Sequence, residues 1–214
     1  MRALLDNRPL TLEEQSVRCA LQTARQEAER EHRIVIEAVG DGEPLSNDTL
    51  DAPPADAGGF EEIRFVSTDK VALIEVTLRD AADALDEAAA RQREAAAALD
   101  RGDQDTARQL LHGALSTWQV VGDVVSKSGM LLGLDPASVA FDVDGKGRDG
   151  GSCIVSLQKR LVEAATAIQS NDWAAVSDLF GFDMDDEVEA WKALLNAMAD
   201  RARTGQTGSG GAGS

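Results

Sequence analysis

Histidine and cysteine are scarce in this sequence, with two of each among 214 residues. The two histidines, His32 and His112, are the candidates for imidazole catalysis. His32 falls at the expected end of a helix, where an imidazolium suits the negative pole of the backbone dipole. His112 lies beside an apolar seam, but positions 108, 109, 115 and 116 are Arg, Gln, Leu and Ser. The Glu-x-x-His spacing of di-iron helical bundles is therefore missing. No CxxC or HExxH occurs, so nothing signals a zinc site. Cys19 and Cys153 lie far apart and are expected to be free thiols. P-loop, GxGxxG and GxSxG patterns are missing as well.

Positive charge is also in short supply. Lysine and arginine number 21 against 38 acids, for a formal net charge of −17. Such a surface repels nucleic-acid phosphate and anionic lipid, so neither is expected as a partner. No stretch reaches the roughly 18 apolar residues of a membrane span. The opening Met1-Arg2-Ala3-Leu4-Leu5-Asp6 turns to charge before an apolar signal core can form. No secretory leader and a cytoplasmic location are the resulting expectations.

What is present is helical periodicity, with 43% hydrophobic residues, enough for one core or a core plus a small appendage. An arm is expected over 1–10. Thr11 and Glu14 have the spacing of a capping box, and Val17, Leu21, Ala24 and Ala28 continue at helical steps. Residues 33–39, Arg-Ile-Val-Ile-Glu-Ala-Val, read as a strand ended by Gly40-Asp41-Gly42. That strand is apolar on both faces, which suits an interior position. Residues 43–59 carry three prolines and read as loop, with a second strand at Glu62–Val66.

Ser67-Thr68-Asp69 then offers caps for a long helix. Its seam is Val71, Ile74, Leu78, Ala81, Leu85, Ala88, Ala95 and Leu99, with Gln92 as one polar break. Gly102 stops it, and a second seam follows: Ala107, Leu111, Ala114, Trp118, Val121, Val125, Ser128 and Leu132. Two such seams joined by a tight turn predict an antiparallel helical hairpin. After a loop over 142–151, Ser152 is placed to cap a third long helix with Ile154, Leu157, Leu161, Ala164 and Ile168 inward. Trp173 to Phe180 reads as a short helix punctuated by Gly181. A last helix carries Val188, Trp191, Leu195 and Met198, and residues 203–214 read as a disordered Gly/Ser tail. The turns at Asp103 and Asp172 echo each other 69 residues apart, but the aromatic and proline marks of tetratricopeptide repeats are lacking.

The fold expected is mainly α. A bundle of two long helical hairpins over 67–202 follows a small helix–strand–strand (α+β) unit over 11–66. Asp142-Val143-Asp144-Gly145-Lys146-Gly147 imitates the start of a calcium loop, but Lys146 and Cys153 stand where oxygen ligands belong. No catalytic, cofactor-binding or metal-ligating residue is assigned, and no cofactor is expected. Trp118 and Trp191 sit on seams. Trp173 opens a short helix, the usual place for a half-exposed anchor, although core packing competes for it. Ile34 and Ile36 lie on a strand whose second edge must be blunted, covered by the 43–59 loop, or paired with another chain.

Several stretches together resemble an uncharacterised family of mostly helical bacterial proteins. They are Arg33-Ile34-Val35-Ile36-Glu37 running to Leu45, Glu61 to Ser67, Gly102-Asp103 to Trp118, and Asn171-Asp172-Trp173 to Phe180. The helical part also resembles, through acidity and architecture, the small bundles of flagellar and type III export chaperones. No functional residue carries over from either likeness. The expectation is a non-enzymatic protein-binding module of a bacterial cytoplasm: an adaptor, chaperone or assembly factor. Its partner is another protein, or itself as a homodimer. The alternatives are a self-associating structural protein, or an enzyme whose acidic and arginine site is dispersed through the sequence. Trp173, Ile34 and Ile36 are the candidate partner contacts.

Overall fold

The computed structural model describes residues 1–56 and 59–208. The chain is mainly helical with a small sheet region, and divides into two compact units, Met1–Leu73 and Ile74 onward.

The first unit is a five-stranded mixed sheet with one long helix on a face. Strand β1 (Arg2–Leu5) turns through Asp6 and Asn7, both in the left-handed region, into β2 (Arg8–Pro9). Helix α1 spans Val17–Arg30, β3 Arg33–Gly40, β4 Glu43–Pro44, α2 Asn47–Asp51 and β5 Glu62–Asp69. The strand order is β2-β1-β5-β3-β4. β1 runs parallel to β5, pairing Arg2 with Glu62 through Leu5 with Phe65, and β3 runs antiparallel on the other side. The residues expected to form an N-terminal arm are thus strands of the sheet. Arg2-Ala3-Leu4-Leu5 is too short to show a period, and its partner is remote in sequence.

Alternation decides which residues face the helix. Ala3, Leu5, Ile63 and Phe65 are buried against Val17, Ala20, Leu21, Ala24 and Ala28 of α1. A bulge at Ile36 shifts the register of β3, so Val35 and Ala38 both pack into this cluster while Ile36 is 54% exposed. β3 lies between β5 and β4, as its apolar run suggests, but the two-residue β4 pairs only with its end at Val39 and Gly40. Thr11 does not cap α1. Ser16 does, accepting from the Cys19 N–H at 3.1 Å. The Val17 and Arg18 N–H groups donate to the Asp56 and Pro54 carbonyls at 2.8 and 3.1 Å. The proline loop thereby satisfies the start of α1.

Asp6 ties the hairpin to β5. Its carboxylate accepts from the Ser67 N–H at 2.8 Å and the Ser67 hydroxyl at 2.6 Å, with Arg33 3.6 Å away. Burial opposes ionisation, but the Ser67 hydrogen bonds and the Arg33 charge outweigh it, and the Asp6 pKa lies below its ordinary value. A carboxyl lowered in the folded state stabilises above the unfolded pKa of about 3.9 and loses that contribution as pH falls through the folded value. Asn accepts the left-handed backbone, so Asp6→Asn isolates the charge. The variant is expected to lose about 1 kcal/mol at pH 7, and the difference from wild type should shrink in urea melts below pH 4. A difference unchanged at pH 2.5 would show that Asp6 acts through shape alone.

The second unit contains α3 (Lys70–Asp100, whose first residues belong to the first unit), α4 (Gln104–Leu132) and α5 (Gly150–Gln169). It also holds α6 (Trp173–Asp178) and α7 (Met184–Gly208). Asp69 accepts from the Ala72 N–H at 2.7 Å at the start of α3. Gly102, at φ 79°, lets the chain reverse, and Asp103 caps α4. Arg79–Asp200, Asp86–Lys192 and Arg93–Asp185 are ion-paired, so partners climb α3 as they descend α7 and the two helices run antiparallel. Every residue of the expected α4 seam except Leu132 is buried, as are Val188, Trp191, Leu195 and Met198 of α7.

Five expectations in this unit are corrected. Residues 142–151 are not loop: β6 (Ala140–Val143) and β7 (Lys146–Asp149) form a hairpin turning through Asp144 and Gly145, both at positive φ. Asp142 of the calcium-like stretch accepts from the Gly145 N–H at 2.8 Å. Asp149, rather than Ser152, caps α5, with Ser152 returning the hydrogen bond of a capping box. The α5 face is turned toward Cys153 and Ala167; Leu157 and Ala164 are buried as expected, whereas Ile168 is exposed. Finally, Gly181 does not break the chain. A π-turn over Leu179–Asp183 joins α6 to α7, and a Cβ on Gly181 would meet the Ala96 Cβ at 3.3 Å. The helix then runs past the expected end at 202 to Gly208, and residues 209–214 of the expected tail lie outside the described residues.

Candidate functional site: an apolar groove

A concavity of the second unit lies where the C-terminal half of α4 meets the chain leading to α5. It has a volume of about 570 Å³, within the range of ligand and side-chain pockets. Gly122, Val125, Ser126, Gly129 and Met130 line it from α4, Leu134 to Ala137 from the following turn, Ile154 from α5 and Trp191 from α7.

Local sequence builds these walls. α4 stops at Gly133, a left-handed cap at φ 63°. Asp135 then accepts from the Ala137 N–H at 3.0 Å and starts a 3-10 turn, Pro136–Ser138. That turn is clasped by two glycines. A Cβ on Gly129 would come within 2.7 Å of Pro136 Cγ, and one on Gly150 within 2.0 Å of the Pro136 carbonyl oxygen. Neither position tolerates a larger residue while the turn stays where it is, so Pro136 is held as a fixed wall.

Trp191 of the lining is backed by Trp118. The Trp118 and Trp191 rings meet edge to face, with centroids 5.8 Å apart and planes at 85°. Both are about 4% exposed, and the Nε1–H of each is buried without a partner among the described residues. Met130 stands at the mouth, 73% exposed. The lining carries one ionisable side chain, Asp135.

Glu187 and Cys153 form a separate buried pair of polar groups. The Ser156 hydroxyl donates to Glu187 Oε1, and Glu187 is 3% exposed. Burial, reinforced by the Glu187 charge, pushes the Cys153 thiol up to about 12. Cys19 is half-buried in the first unit, with its Sγ 4.0 Å from Thr23 Oγ1. Native protein at pH 8 is therefore expected to take one equivalent of a thiol reagent, at Cys19, and two when denatured. Two equivalents on the native protein, mapped by peptide mass, would show that the core around Cys153 opens.

The residues singled out from sequence are distributed differently. Trp173 is half-buried in the first turn of α6, with the Arg108 guanidinium 5.2 Å from its ring centroid. It does not line the groove. Ile34 is half-buried and Ile36 exposed, both in the first unit. On the outer edge of β3, β4 pairs with Val39 and Gly40, and the Leu45 N–H donates to the Ala38 carbonyl. Among the described residues no strand pairs with 33–37 on that side. Pro53 of the 43–59 loop, one of the three candidates for closing this edge, lies at α1, where Arg18 reaches its carbonyl at 3.2 Å.

Sequence reasoning missed the groove residues. A signal existed in the spacing Gly122, Ser126, Gly129, Gly133, which steps four, three and four along α4 beside its seam. No three His, Cys, Asp or Glu side chains converge as metal ligands do among the described residues, and no helix there is long and apolar enough to cross a membrane. Compared with protein-family models, with curated proteins and with solved structures, the chain finds no match.

Proposed function

We propose that this chain is a non-enzymatic protein-binding module of a bacterial cytoplasm, acting as an adaptor, chaperone or assembly factor. The observation that carries this reading is the apolar groove bordered by the exposed Met130. Methionine at a surface groove adapts to apolar partners, because its unbranched thioether repacks easily. In this reading the helices form a bundle of two helical hairpins, α3 with α4 and α5 with α6 and α7. The likeness to export chaperones proposed here rests on acidity and such a bundle alone. In this reading Trp173 lends a secondary contact at most, since its ring already has Arg108 over it.

The test uses the full chain and Met130→Glu in affinity capture from the source cells, followed by calorimetry with the purified captured protein. The expected result is one partner bound 1:1 by wild type and at least about tenfold more weakly by the variant, a change of about 1.4 kcal/mol. A pair that fails to reconstitute from purified components, or binds the variant equally, would count against the groove as its site.

A second reading, self-association, draws on the edge of β3 at 33–37, which no strand among the described residues pairs, and on the exposed Ile36. It predicts a dimer by light scattering that Ile36→Pro dissociates while circular dichroism stays unchanged. A wild-type monomer at high concentration, with amides 33–39 unprotected from exchange, would sink it.

A further inference from the structure

We draw no further inference here: the strongest candidate, the surface patch at the π-turn between α6 and α7, where Phe182 is 74% exposed, carries nothing because nothing in the structure shows what covers it.

Discussion

Exchanging Gln92 for methionine is expected to stabilise the protein by about 1–3 kcal/mol. Gln92 has no exposed surface, and neither its amide nitrogen nor its amide oxygen has a partner among the described residues. Burying an amide without hydrogen bonds forfeits its hydration with no return. Methionine has the same unbranched reach, a similar helix propensity and no strong polar group. The substitution therefore removes the desolvation cost and leaves the packing volume nearly unchanged. In urea melts the midpoint should rise with an unchanged slope. A loss of 1 kcal/mol or more would show that the amide is satisfied in solution and holds part of the core together.

The opposite result is expected at Leu111. It is 4% exposed within the main core cluster, on the seam of α4 that also buries Ala107, Ala114, Trp118 and Val121. Leu111→Ala should cost about 2–5 kcal/mol, the transfer of the lost methyls plus the cavity they leave. The upper part of that range applies if the site cannot collapse, and helix walls held by the Trp118–Trp191 contact and three ion pairs between α3 and α7 resist collapse. A loss below about 0.5 kcal/mol in the same urea melts would mean that this face of α4 is not a core face.

These two residues show what kind of information the sequence made legible. Long helices repeat their pattern many times, so the seams of α3, α4 and α7 could be read directly, Gln92 included. Short elements carry no such repetition. β1 and β2 total six residues, β4 has two, and the β6–β7 hairpin was masked by its charged, glycine-rich composition. The bulge at Ile36 was invisible because the extra residue is defined by the partner strand and not by its own side chain. The α5 face was misjudged by one position, since Ile154 outranks Cys153 in hydrophobicity but lies at the flank. The groove was the least legible part. It is made by what glycines leave out, and the meaning of a glycine depends on whether a neighbour fills its space, as at Gly129, or none does, as at Gly122.

The parallel pairing of β1 with β5 sets an order of events during synthesis. Arg2 meets Glu62, and Leu5 meets Phe65, 60 residues later in the chain. β1 leaves the ribosome before its partner and must wait for β5, the last strand of this sheet in chain order. β3 precedes β5 by a shorter loop, and antiparallel neighbours close more readily than a strand inserted from a distance. The β3–β5 ladder, with α1 packed on it, is thus expected to form first, and the β1–β2 hairpin to zip onto the open edge of β5 afterwards. Until then that edge is bare, and Ile63 and Phe65 have only part of their cover. Residues 2–9 act as the closing clasp of the first unit. A chain beginning at residue 10 would keep the helix and two long strands, yet expose the edge that the hairpin seals, so its expected fate is aggregation during refolding before any loss of helical signal.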